Sequence, residues 1–185
     1  MKAWVLISVA SSVLLVAGVA LTTFLTAGDD SRLPLRVVLR VDLARYAGTW
    51  YEIARYPNRF QKDCVATTAT YTLRPDGRVT VVNRCREKTL DGKFKEAKGI
   101  AWVADKSTNA KLQVRFFWPF SGDYWIIDLG PEYEYAVVGH PKRSYLWILS
   151  RTPSLDPATY QGILDHIQAQ GYDLKPIIRT PQPVQ

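Results

Sequence analysis

From about residue 41 onward, apolar and polar residues alternate in short runs separated by turn-forming residues, a spacing that predicts a β-sandwich or barrel and argues against an α/β fold. The predicted strands are 46–56, 65–74, 78–87, 94–104, 111–118, 123–129, 133–139 and 145–151. Pro75-Asp76-Gly77 suits a three-residue hairpin loop between the second and third, with Pro fixing φ, Asp favouring the turn and Gly accepting positive φ. Eight antiparallel strands can close into an all-β, up-and-down barrel with no free edge and room for one small ligand. One helix interrupts the pattern: Asp156 caps it, Pro157 takes its first position and Gly171 follows its end. Tyr160, Ile163, Leu164 and Ile167 form a single apolar stripe, so the helix is expected against the outside of the barrel, with 172–178 returning as a short last strand.

A different pattern opens the chain. Residues 3–28 carry no charged side chain, with Lys2 before them and Asp29-Asp30 after. A helix of that length can cross a hydrocarbon layer of about 30 Å, and the charge bias directs the rest of the chain to the exported, periplasmic side of the cell envelope. Small residues at Gly18, Ala20 and Ala27 also fit a signal peptidase, so an uncleaved anchor and a cleaved signal peptide both stand. The expected organisation is 1–28 anchor or signal, 29–41 linker, 42–181 barrel domain and 182–185 tail.

Composition narrows function mainly by exclusion. With 24 Lys and Arg against 17 Asp and Glu the net charge is +7, but the charges are scattered and no basic helix or reading motif singles out nucleic acid. His140 and His166 are the only histidines, one in a loop and one on the helix, and no Gly-rich phosphate loop occurs. No metal, cofactor or catalytic residue is therefore expected, and His140 reads as a loop residue.

The most specific motif is Gly48-Thr49-Trp50-Tyr51-Glu52, joined by Pro131-Glu132-Tyr133-Glu134-Tyr135-Ala136 and by Leu149-Ser150-Arg151-Thr152-Pro153. Together with the strand spacing and the late helix, these residues resemble the bacterial lipocalins of the outer-membrane Blc type, the group similar to apolipoprotein D. The resemblance covers 42–181. It implies a calyx in which Trp50 plugs the closed end beneath Arg151, with Gly48 part of the same structural motif. It also implies a fatty acid or lysophospholipid as ligand, and leaves a homodimer open. Two departures stand out: Gly130 occupies a position where many relatives carry an acid, leaving Asp128 nearby, and neither cysteine lies where a lipid-modified N-terminus would need it.

Strand alternation from an inward Trp50 predicts the cavity wall. Glu52, Ala54 and Tyr56 share its face, followed by Ala69, Tyr71 and Leu73 and then Val79, Val81 and Asn83. The phase of 94–104 and 111–118 stays open, because a one-residue slip inverts every assignment. An inward Glu52 needs a partner, expected near the barrel base, with head-group binding as the other reading. The mouth loops carry Arg59, Lys62, Lys88, Lys93, Lys142 and Arg143 with Phe60, Trp118 and Phe120. Such a rim either attracts acidic amphiphiles and anionic membrane or is an ordinary solvated rim with its aromatics folded over the cavity.

Cys64 and Cys85 lie on hairpin-paired strands in an exported domain, which favours a disulfide. A regular register places Cys85 opposite Thr67, so bonding requires a bulge or a loose strand start. The expected ligand site is thus Tyr56, Phe60, Ala69, Tyr71, Val81, Asn83 and Trp118, serving lipid binding, storage or transport. Two alternatives remain: an enzyme using Cys85 as a thiolate on a lipidic substrate, and a membrane-tethered structural module.

Overall fold

The computed structural model describes residues 33–183; the expectations for the apolar run 3–28 and for 29–32 lie outside the described residues. Eight strands, β1 (Gly48–Arg55), β2 (Cys64–Leu73), β3 (Val79–Glu87), β4 (Phe94–Asp105), β5 (Lys111–Phe117), β6 (Phe120–Leu129), β7 (Tyr135–Gly139) and β8 (Leu146–Ser150), pair in sequence order. Every pairing is antiparallel, and β1 bonds both to β8 and to β2, which closes the sheet into a barrel. Pro75-Asp76-Gly77 does form the β2–β3 loop: Leu73 pairs with Val79, and Gly77 sits at φ 77°. Helix α2 (Pro157–Ala169) starts on the Asp156 cap and buries Ile163 and Ile167. The returning strand is shorter and later than the expected 172–178: only β9 (Ile178–Arg179) lies along β1.

Three boundaries differ from the sequence pattern, each for a local reason. Asp42 accepts hydrogen bonds from the Ala44 and Arg45 backbone N–H groups (2.8 and 3.3 Å), which starts a one-turn helix α1 (Leu43–Tyr46) and takes Tyr46 out of the first strand. Phe117 pairs with Phe120 across a Trp118-Pro119 turn, so β6 begins where a loop was expected. The stretch 33–41 is not a free spacer. Leu35 and Val41 are buried, and the Val38 and Val41 N–H groups donate to the Ile126 and Thr108 carbonyls (3.1 and 2.8 Å).

Two bulges matter more than these boundaries. In β1 the register shifts between Glu52 and Ala54. The extra residue reverses the alternation, so Trp50 and Glu52 stay inside while Ala54 and Tyr56 turn outward into the apolar layer with Ile163, Ile167 and Tyr172. Tyr56 is therefore corrected from the cavity wall to the seam below α2, where its hydroxyl donates to the Asp173 carbonyl (2.5 Å). In β2 the shift falls between Val65 and Thr68, with Ala66 at φ 49°. It brings Cys64 and Cys85 to a Cα separation of 5.5 Å, and the two are joined by a disulfide.

Past this bulge β1 and β2 part, and the C-terminal segment wedges between them. Thr180 N–H donates to Ile53 O (3.0 Å), Ala66 N–H to Pro181 O (2.8 Å), and the Gln182 amide to Glu52 O and Thr67 O (2.8 and 2.9 Å). Gln182 thus belongs to the domain and not to a tail.

Candidate ligand-binding site

Trp50 is fully buried, its indole N–H donates to Tyr46 O (2.9 Å), and the Arg151 guanidinium lies 3.8 Å from its ring centroid. Arg151 also donates to the carbonyls of Arg45, Thr49 and Tyr133 (2.7, 3.0 and 3.3 Å), tying α1, β1 and the β6–β7 turn together. Gly48 sits at φ 96°, and a Cβ there would approach Arg151 Nη1 to 3.2 Å. At Gly130 a Cβ would collide with the Glu134 carboxylate, which accepts from Glu132 N–H (2.9 Å). Glu134 therefore occupies the space in this turn that a larger residue at position 130 would need.

Above the plug the barrel holds a cavity of about 100 Å³. Ala69, Tyr71, Val81 and Asn83 line it, as the alternation of β2 and β3 suggested for these positions. Leu73 and Val79 do not: Leu73 is exposed at the hairpin, and Val79 lies deeper in the core. The open phases of β4 and β5 are settled, with Ala101, Val103, Leu112, Val114 and Phe116 belonging to the interior and Arg115 stacked outside on Trp102.

Other residues complete the wall. Trp147 and Leu149 share Arg151's side of β8 by alternation and were findable. Gln61 was not, because it sits in a one-turn helix (Arg59–Gln61) capped by Asn58. The Gln61 amide donates to Glu52 Oε2 (2.5 Å), and its oxygen accepts from Trp147 Nε1 (2.7 Å). Glu52 also accepts from Thr180 Oγ1 (2.5 Å) and Arg55 Nη1 (3.2 Å). The carboxylate is thus paired, but towards the mouth loop and C-terminal wedge, not at the barrel base. Burial pushes its pKa up, against the lowering influence of Thr180, Arg55 and Gln61.

The rim is basic and aromatic. Arg59, Lys62, Lys88, Lys93 and Lys142 are exposed. Arg143 is not free: it donates to Gln170 O and Leu33 O, both at 2.6 Å. Phe60 and Trp118 lie outside the cavity, being 64% and 83% exposed, and Phe117 and Phe120 project beside Trp118. The aromatics at the β5–β6 tip are therefore not folded over the cavity. His140 is tied into its own turn, its Nδ1 facing Lys142 N–H and Ser144 Oγ (3.2 and 3.1 Å).

With both cysteines in the disulfide, Cys85 offers no thiolate. Thiol titration of the folded, oxidised protein is expected to find no free cysteine. Reduction is expected to lower stability by about 3 kcal/mol, the value for a closed loop of this order, measurable by urea unfolding with and without reductant.

Among the described residues, then, a plugged barrel, an apolar cavity and an open basic end are brought together on one axis. The family model described as a lipocalin-like domain matches residues 41–182. The chain is 44% identical to temperature-induced lipocalin-1 of Arabidopsis thaliana, over 80% of this chain and 83% of the relative. It is 41% identical to the outer membrane lipoprotein Blc of Escherichia coli K12, over 89% of this chain and 94% of the relative. Insecticyanin from the tobacco hornworm Manduca sexta shares the fold with a TM-score of 0.65 at 20% identity, covering 82% of this chain and 86% of that one. The chain belongs to the lipocalin family.

Proposed function

We propose that the chain is a binding protein, not an enzyme, that takes up one fatty acid or lysophospholipid non-covalently and stores or carries it at the cell envelope. The observation that carries this reading is the cavity itself, closed at Trp50 and walled mainly by apolar groups with a few polar ones. Each methylene moved from water into such a wall contributes about 0.8 kcal/mol. The cavity, about 100 Å³, is smaller than the ~300–1,000 Å³ of drug-sized sites, so a long chain fills it with its inner end and leaves the rest against the rim. There the exposed cations receive an anionic head group, and with Phe117, Trp118 and Phe120 they favour docking on an anionic membrane, at roughly 1 kcal/mol per basic residue. The name of the Blc relative, an outer membrane lipoprotein, and the apolar run 3–28 support an envelope location.

Delipidation followed by native mass spectrometry against fatty acids and lysophospholipids tests the proposal. One saturable equivalent per chain is expected; no saturable uptake of any member overturns it.

A further inference from the structure

The barrel interior is not one space. The chamber of about 100 Å³ near the mouth and a void of about 20 Å³ near the closed end share Tyr71, Val81, Val114 and Tyr124 as walls. The partition between them is a layer of three tyrosines. The Tyr46 hydroxyl is 2.8 Å from that of Tyr124, and the Tyr71 hydroxyl 2.9 Å from the same oxygen. Their rings pack at centroid distances of 5.5 Å (Tyr46–Tyr71) and 6.0 Å (Tyr71–Tyr124). An acyl chain entering from the mouth stops here, because the void beyond is too small to receive it.

The layer holds more hydroxyl protons than it has contacts to use them. Three hydroxyls carry three protons, and two oxygen–oxygen contacts consume two of them. One O–H is left without an acceptor among the described residues. If Tyr46 and Tyr71 both donate to Tyr124, the spare proton is on Tyr124. If Tyr46 donates to Tyr124 and Tyr124 to Tyr71, it is on Tyr71. Both of these groups line the outer chamber. Only the third arrangement leaves it on Tyr46, and a ligand acceptor in the chamber selects against that one. Burial also raises the pKa of all three phenols, Tyr71 to about 12, so they remain donors at any physiological pH. At the next inward-facing pair towards the mouth, opposite Ala69, Asn83 carries a buried Oδ1 that also lacks a partner among the described residues. The wall therefore keeps unmet hydrogen-bonding capacity where a plain hydrocarbon end would lie, and burying such capacity against methyl groups is unfavourable.

We propose that the preferred ligand carries an oxygen acceptor, a hydroxyl or carbonyl, at the end that reaches Tyr71 and Tyr124. Its class is an oxygenated amphiphile, such as an ω-hydroxy or ω-oxo acid, in preference to an unsubstituted acyl chain. This inference rests on the reading of the barrel as an amphiphile carrier and specifies the ligand of that same site.

The test measures calorimetric affinities of the delipidated full chain for straight acids from octanoate to hexadecanoate and for their ω-hydroxy counterparts. At the best-fitting length the ω-hydroxy acid is expected to bind about tenfold tighter, the gain from satisfying a buried donor. In Tyr71→Phe/Tyr124→Phe the ratio of hydroxy-acid to plain-acid affinity is expected to fall to about one, whatever the plain acid's own affinity becomes. Equal binding of plain and hydroxy acids by the native chain overturns this inference and leaves the carrier reading standing. Uptake of neither series overturns both. A preference that survives in the double variant also overturns the role of the tyrosines. If the double variant does not fold, isotope-edited infrared spectra of an ω-oxo acid bound to the native chain decide. A carbonyl stretch lowered relative to the same acid in hydrocarbon supports the inference, and an unshifted one overturns it.

Discussion

Arg55→Met is expected to destabilise the fold by roughly 3–5 kcal/mol, the cost of leaving one member of a buried ion pair without the other. Glu52 and Arg55 are 2% and 5% exposed and meet at 3.2 Å. In the variant the carboxylate keeps Thr180 and Gln61 as donors but loses its cation. Burial already raises the Glu52 pKa, and Arg55 is one of the groups opposing that rise, so the variant raises it further. A carboxyl with a raised folded-state pKa favours folding through its protonated form. That contribution is complete below the unfolded value of 4.5 and is lost as pH rises through the folded one. The defect in Arg55→Met should therefore be largest at neutral pH and shrink on acidification towards that unfolded value. Removing both partners in Glu52→Leu/Arg55→Met should restore most of the loss, because well-packed apolar replacements of buried pairs are often neutral or stabilising. Urea unfolding at neutral and mildly acidic pH reads all of this. A single-variant loss under about 1 kcal/mol, or one independent of pH, contradicts the account.

Trp50→Ala should cost a similar amount, about 3–5 kcal/mol, as expected for truncating a fully buried tryptophan. The loss includes the indole hydrogen bond to Tyr46 O and the contact with Arg151. Arg151→Lys separates closure from ligand binding. Lysine cannot reproduce the planar fork that reaches carbonyls on three segments, so stability is expected to fall by about 1.5–3 kcal/mol, the range for hydrogen bonds to a charged group. Fatty-acid affinity should remain within about twofold of the native value, since neither Arg151 nor Trp50 lines the outer chamber. A variant that keeps its unfolding midpoint but loses the ligand would place Arg151 in the binding chemistry instead.

The barrel was legible because period-2 alternation and turn residues are local signals. Pro75-Asp76-Gly77 and the Asp156-Pro157 helix start each identify one element without reference to the rest of the chain. The wall was legible where alternation runs unbroken, as from Ala69 to Tyr71 and from Val81 to Asn83. It failed at Tyr56 because the β1 bulge is stabilised by long-range partners, α2 on one side and the C-terminal wedge on the other, which no short window contains. Gln61 and Thr180 were missed for the same reason. Their roles arise from a loop and a chain end folding back onto Glu52, not from their own neighbours in sequence. The disulfide required the Ala66 bulge, whose need was visible in the register but whose position was not.

The central claim is that one amphiphile sits inside the barrel, and Ala69→Trp tests it most directly. Ala69 is a small residue on the cavity wall, where an indole would fill space that a chain must occupy. Native mass spectrometry of the delipidated native chain with hexadecanoate should show one saturable equivalent. Folded Ala69→Trp should lose at least tenfold in affinity. Equal uptake by the two proteins would place the ligand outside the barrel and contradict the account.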